Sequence, residues 1–238
     1  RISSHLLAIG ATCMDVGAMT VFLWTFTERE KLYDLFERIC GARFTTSFTR
    51  IGGVANDIPD DVLRDIRAWA NAFPEEHRNA EKLVNRNRIF IERMAGTGYM
   101  PADKAVSLGL TGPTLRGSGI NRDLRRDQPY MFYDQVDFDV ITMNDGDCYA
   151  RYMCRDQEIW ESLKIVHQCI DRLETMPRTA ILADEPNKVQ VRKAEIYTKM
   201  EELISDFMLI NFGVQPPVGE TYTAIESPKG ELGFFIVS

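Results

Sequence analysis

"LLAIGATCMDVGAMTVFLWTF", residues 6–26, is the stretch on which the reading of the fold turns. Asp15 is its one side chain expected to be charged at pH 7, and the nearby Cys13 is expected to be a neutral thiol. Apolar residues occupy nearly every helical face, interspersed with the small residues Ala8, Gly10, Ala11, Gly17 and Ala18. The pattern predicts one long helix over residues 2–26, buried in a protein core or in a membrane. Its length reaches the roughly 20 residues that a spanning helix needs. Its glycines, threonines and central aspartate make it a poor span, and the rest of the chain has a soluble character. Burying an ionised carboxylate costs several kcal/mol unless it is paired, and unpaired burial raises its proton affinity. Asp15 is therefore either a proton-exchanging group or a structural carboxylate paired with an arginine or a backbone group.

The remaining composition narrows the classes. With 238 residues the chain can bury a sizeable core as one large or two small domains. A net charge of −7 argues against a general nucleic-acid binder, which would carry a basic face. Cys13, Cys40, Cys148, Cys154 and Cys169 include no C-x-x-C pair, so they read as buried thiols of a cytosolic protein. His5, His77 and His167 are far apart in sequence, and no metal site can be read from them. No signal peptide or initiator Met is present, and the closing "GELGFFIVS" stops inside a strand-like run. The chain is therefore expected to be an internal fragment, residues 1–238 of a longer single domain that extends beyond both ends.

Further along, Thr27 and Glu30 have the spacing of a capping box, so a second helix is expected to start there, carrying Leu32, Leu35, Phe36 and Ile39 and stopping at Gly41. "ARFTTSFTRIGGVAND" (42–57) reads as a loop or short extended segment. A helix opening near Pro59 carries Val62, Ile66 and Trp69 inward, and another, more polar and on the surface, spans about 75–94. "PADKAVSLGL" is a short helix closed by Gly109, and "VDFDVI" (136–141) alternates like a strand. Two long helices, about 147–175 and 189–211, flank a Pro-containing linker. "TYTAIESPKGELGFFIV" reads as a hairpin, so the fold class is mainly α with a small β element near the C-terminus.

Two further segments hold charge. "LRGSGINRDLRRDQ" places Arg116, Arg122, Arg125 and Arg126 among glycines, but lacks G-x-G-x-x-G and GK[ST], so a nucleotide-phosphate reading is weak. Asp123 and Asp127 offset half its charge, which favours a structural or subunit-contact loop. "RFTTSFTRIGG" sets Arg43 and Arg50 around a row of hydroxyls, either a plain surface loop or the lining of a polar cleft against a charged cofactor held by a partner.

Several long segments together carry a resemblance: "RISSHLLAIGATCMDVGAMTVFLWTFTEREKLYDLFERICGARF", "RIGGVANDIP", "GLTGPTLRGSGINRDLRRDQPY", "YDQVDFDV", "GDCYARY" and "YTAIESPKGELGFFIVS". In this order they resemble the 49-kilodalton-type (D-type) subunit family of bacterial NADH–quinone oxidoreductase, respiratory complex I. The resemblance implies a helical bundle like the large subunit of [NiFe] hydrogenases, without its metal-binding cysteines. It also implies an oxidoreductase and translocase subunit that binds no cofactor of its own. Quinone, either menaquinone or ubiquinone, would be its substrate, with a [4Fe-4S] cluster in the neighbouring subunit and NADH oxidised elsewhere in the complex. Asp15 matches an aspartate implicated in protonating reduced quinone, with Leu7, Ala11, Phe22 and Phe26 around the same cavity. Arg50 matches an arginine near the partner's cluster, and Arg43 lies in the adjoining motif. Thr45 stands where family members often carry a titratable histidine, a departure that points to a lower-potential cluster suited to menaquinone. The implied partners are the iron–sulfur subunit, other peripheral-arm subunits and the membrane-arm quinone-channel subunit, at the cytoplasmic face of the inner membrane. A membrane-bound, group-4-type [NiFe] hydrogenase large subunit and a non-catalytic docking scaffold are the alternatives.

Overall fold

The computed structural model describes residues 1–177, 179–183, 185 and 189–238. Its opening segment is two helices, where the apolar pattern predicts one. α1 (Ile2–Asp15) stops before Gly17, whose φ of +94° suits glycine. The Gly17 N–H donates to the Met14 carbonyl and the Ala18 N–H to the Cys13 carbonyl, a Schellman-type ending that satisfies the last carbonyls of the helix. α2 (Met19–Cys40) starts at once and runs straight through the expected capping box. Thr27 is helical there, and its hydroxyl donates to the Leu23 carbonyl one turn back. The helix does stop before Gly41, at φ +76°, as expected.

β1 (Thr49–Arg50) and β2 (Gly53–Val54) pair antiparallel, with Thr49 opposite Val54 and Arg50 opposite Gly53. α3 (Asp60–Val84) fuses two expected helices across Pro74, and α4 (Arg88–Met94) follows, its N–H groups at Ile89 and Phe90 capped by the Asn87 side chain. This stretch is no surface segment, because His77, Ala80, Val84, Phe90 and Met94 are all buried. After α5 (Ala102–Ser107), the Gly- and Arg-rich region contains two short helices, α6 (Gly112–Arg116) and α7 (Leu124–Asp127). "VDFDVI" buries Val136 and Phe138 but joins no sheet. The Asp137 and Asp139 N–H groups donate to the Gln168 and Glu161 side chains of α8 (Cys148–Thr175). The second long helix is broken into α9 (Lys193–Ile196) and α10 (Met200–Phe212) near Thr198, whose hydroxyl donates back to the Ala194 and Glu195 carbonyls. Part of the linker before it, including Pro186, lies outside the described residues. β3 (Glu220–Ser227) and β4 (Gly230–Val237) form the expected hairpin around Pro228 and Lys229.

The chain divides into two compact units. The first holds residues 1–32, 65–175 and 222–234, with α8 at its centre and α1, α4 and α6 packed on it. α8 buries Ala150, Tyr152, Cys154, Ile159, Leu163 and Ile170, together with the carboxylates Asp156 and Glu158. Gly112 of α6 lies so close to Gly230 that an added Cβ would sit 2.4 Å from its Cα, so two glycines let the hairpin approach the helix. The second unit holds residues 33–64, 176–221 and 235–238. Within it α9 packs on α10, and an extended segment joins the small sheet, Val54 N–H donating to the Ile181 carbonyl and Ala183 N–H to that of Gly52. Among the described residues no helix is long and apolar enough to cross a membrane.

Candidate functional site

α1 has two unlike sides. Ile2, His5, Leu6, Ile9, Gly10 and Cys13 face inward, while Leu7 and Ala11 are half-buried and Asp15 is exposed on the same outward stripe, four residues apart. The expectation of a buried carboxylate is thus corrected: the helix ends at Asp15, which faces solvent in this chain. α2 lies close against α1 at Gly10, where an added Cβ would meet Thr25 Oγ1 at 2.4 Å and the Phe22 Cα at 3.3 Å. That contact sets Phe22 beside α1, and the Phe22 and Phe26 rings touch with centroids 4.3 Å apart. Arg29 covers Phe26, its guanidinium 4.7 Å from the ring centroid. Arg93 donates to the Val16 carbonyl and so ties α4 to the turn that follows Asp15. The fold therefore sets Leu7, Ala11 and Asp15 on the outward stripe of α1, and Phe22 and Phe26 on the adjacent α2 with Phe22 packed against α1 at Gly10.

Behind α1 lies a buried ionic network that the sequence does not announce. His5 Nε2 is 2.8 Å from Glu158 Oε2, and burial, only partly offset by Glu158, lowers the His5 pKa, so the imidazole is neutral and donates. Arg116, fully buried, reaches Glu158 at 2.5 Å, Glu226 at 2.9 Å and Asp123 at 3.6 Å. Burial works to raise the Glu158 pKa, but the His5 hydrogen bond and the Arg116 charge outweigh it and hold the carboxyl at about 2. Asp123 caps α7 through the Arg125 N–H and grips the Arg125 guanidinium at 2.6 Å. Arg1 completes the set, 3.5 Å from Glu158. Three guanidiniums thus face three carboxylates, Glu158, Glu226 and Asp123. Arg116 and Arg125 are consumed in this framework, which supports the structural reading of the Arg-rich segment over a phosphate site. Arg122 and Arg126 are exposed, with Arg122 3.4 Å from Glu231 and Arg126 donating to the Phe138 carbonyl. His5, Glu158 and Glu226 could not be found from spacing, since 153 residues separate the first two.

In the second unit, Arg43, Thr45 and Arg50 are all exposed. Arg43 pairs with Asp34 at 3.2 Å and Glu37 at 3.7 Å, and its guanidinium lies 5.8 Å from the Tyr33 ring centroid. Arg50, in β1, borders a cavity of about 340 Å³ with Ile51, Ala55, Leu182, Leu209 and Val214. The cavity lining is mostly apolar, with Arg50 and Gln190 as its polar members.

Residues 15–238 match the family model described as respiratory-chain NADH dehydrogenase, 49 Kd subunit. The chain belongs to this family. It is 49% identical to NADH-quinone oxidoreductase D subunit 1 of Chloroherpeton thalassium over 238 residues, which is all of this chain and 53% of that protein. It is 48% identical to D subunit 2 of Sinorhizobium medicae, covering 58% of that protein, and 46% identical to the D subunit of Salinibacter ruber, covering 52%. In each case the whole of this chain is aligned, so it spans little more than half the length of these 49-kilodalton-subunit relatives.

Proposed function

We propose that this chain forms part of the quinone-reducing site of an NADH–quinone oxidoreductase, with Asp15 as a proton-delivering group. Family membership supports the reaction class, and the observation that carries the site is the outward side of the α1–α2 hairpin. There, Leu7 and Ala11 line the outward stripe of α1 that ends in the carboxylate of Asp15, and the touching Phe22 and Phe26 rings stand on the neighbouring α2. In the proposed site the two sets meet a hydrophobic ring and tail from adjacent helices. Once a lipid-like substrate and partner subunits cover that surface, Asp15 loses water and its proton affinity rises. Quinone takes two electrons, and its two carbonyl oxygens each take one proton to give quinol. On this reading the electrons come from a [4Fe-4S] cluster of an adjacent iron–sulfur subunit, which Arg43, Thr45 and Arg50 approach. Thr45 has no titratable proton, so pH-linked tuning of that cluster is missing at this position, a trait suited to menaquinone. NADH is oxidised elsewhere in the complex, proton translocation is coupled to the reaction, and the subunit sits peripherally on the cytoplasmic face of the inner membrane against the other peripheral-arm subunits and the membrane-arm quinone-channel subunit. The relatives' shared name favours this branch over the hydrogenase one.

Asp15→Asn in the intact complex tests the proposal. Quinone reduction should fall by about a hundredfold or more, the scale on which a positioned acid contributes. NADH oxidation by an artificial acceptor that intercepts electrons before quinone should be unchanged. Wild-type quinone reduction in the variant would sink the role of Asp15.

A further inference from the structure

A second buried polar cluster lies on the other side of α8, and nothing in the quinone reading uses it. His77 and Glu81 are one helical turn apart on α3, and Asp156 reaches them from α8. The side chains of His77 and Asp156 are 3% and 1% exposed. His77 Nε2 lies 3.1 Å from Asp156 Oδ1 and 3.7 Å from Glu81 Oε1, and one donor atom from each residue falls within 4.8 Å of the others. Despite the 3.1 Å approach, neither His77 Nε2 nor Asp156 Oδ1 has a hydrogen-bond partner among the described residues. The two atoms lie within ion-pair distance but are not aligned donor to acceptor. Buried polar atoms without partners are rare and call for a cause.

Charge argues the same way. Two carboxylates share this pocket with one imidazole, and burial together with Asp156 raises the Glu81 pKa, so the pair is not readily charged together without a further cation. Among the described residues no lysine or arginine pairs with Glu81 or Asp156. The guanidinium of Arg78 is instead stacked 5.1 Å from the Trp160 ring centroid. The outer shell is nevertheless built. Trp160 Nε1 donates to Glu81 Oε1 at 2.9 Å, Asn85 Nδ2 donates to Asp156 Oδ2 at 3.4 Å, and Tyr152 donates to Asn85 Oδ1 at 2.6 Å. Phe73 stacks on His77 with centroids 5.5 Å apart and fixes the imidazole plane. Oriented carboxylates are part of what a bound metal requires of its surroundings, while His77 Nδ1 has no hydrogen-bond partner among the described residues and the ring is held by stacking alone.

We propose that His77 Nε2, Glu81 and Asp156 bind one divalent transition-metal ion of the zinc class. Ligand bonds of about 2.0–2.2 Å in a tetrahedron set donor atoms roughly 3.3–3.6 Å apart, and the two measured separations bracket that range. One nitrogen and two carboxylate oxygens are a hard-to-borderline donor set, suited to Zn²⁺, Co²⁺ or Mn²⁺ and not to a soft, thiolate-seeking ion. The donor atoms that converge here come from His77, Glu81 and Asp156, and no cysteine sulfur is among them. Glu81 is the least buried of the three, with 20% side-chain exposure. The site ties α3 to α8 and is structural; it stands independently of the quinone proposal.

The test is zinc and cobalt binding by the full-length protein after chelation and dialysis. Resupplied with zinc, the chelated parent should take up about one zinc per chain, and His77→Gln and Asp156→Asn should each lose at least about tenfold in affinity. His167→Gln, a control outside the cluster, should bind as the parent does. Zinc should raise the unfolding temperature of the parent and leave that of the two variants unmoved. Cobalt in the parent should give visible d–d bands without sulfur-to-metal charge transfer, a readout that holds even if a variant fails to fold. Sub-stoichiometric zinc in the parent, equal binding by the variants, or a sulfur charge-transfer band would each overturn the proposal.

Discussion

Two polar clusters are buried against the same helix, and they are built on opposite rules. Asp156 and Glu158 are two residues apart on α8, which places them about 200° apart around its axis. Glu158 faces α1 and α6, where three guanidiniums meet three carboxylates and the groups hydrogen-bond one another. Asp156 faces α3, where two carboxylates meet one imidazole and polar atoms are left without partners. Burial of charge by itself therefore distinguishes nothing in this protein. The difference lies in whether the charges close among themselves. A closed set explains itself as framework, and a set whose buried polar atoms lack partners points to something outside the chain.

The sharpest way to break the comparison is to open the closed set. Arg116→Met leaves Glu158, Glu226 and Asp123 without their shared guanidinium and should destabilise the full-length protein by about 3–5 kcal/mol, measured by urea unfolding. A cost under about 1 kcal/mol would mean that these carboxylates are hydrated or otherwise balanced. A smaller effect follows from acid. Burial works to raise the Asp123 pKa, but the Arg125 hydrogen bond and charge outweigh it, so the folded carboxyl lies below its ordinary 3.8. A depressed folded pKa contributes stability that is complete above about 3.8 and is lost as pH falls through the folded value. Unfolding free energy should thus decline with falling pH in that window, and less steeply in Arg125→Met. An identical slope in the variant would show that the pair carries none of the acid sensitivity.

How much of this is legible in the sequence follows from range. Helix content, the Gly41 stop, the α8 span and the closing hairpin rest on local periodicity and turn residues, and all can be read. The break at Gly17 is hidden because an apolar run masks a helix end. The glycine in "MDVGAM" is the available signal, but it reads equally well as a small core residue. Fusion across Pro74 and the buried character of the following stretch escape a reading that equates polarity with exposure, although His77 and Glu81 already stand four residues apart. The strand reading of "VDFDVI" fails because alternation reports burial, not which partner takes the backbone N–H groups. Asp15 shows the limit of the opposite kind. It is exposed at the end of α1, so the apolar context that makes it noticeable does not itself bury it.

The smallest expected effect is the one that separates the two clusters most cleanly. In metal-free full-length protein, Asp156→Asn keeps the side-chain volume and an oxygen to accept from Asn85, while removing one of two negative charges that share a single imidazole. Where charges are matched, deleting one leaves its partner stranded. Where they are in surplus, deleting one relieves repulsion and uncompensated desolvation. The substitution should therefore change the unfolding free energy by less than about 1 kcal/mol, or raise it, although the residue is as buried as Arg116. Chelated parent and variant compared by urea unfolding decide the matter. If Asp156→Asn costs as much as Arg116→Met, then Asp156 already has its counter-charge within the chain, and the pocket on the α3 side of α8 is framework as well.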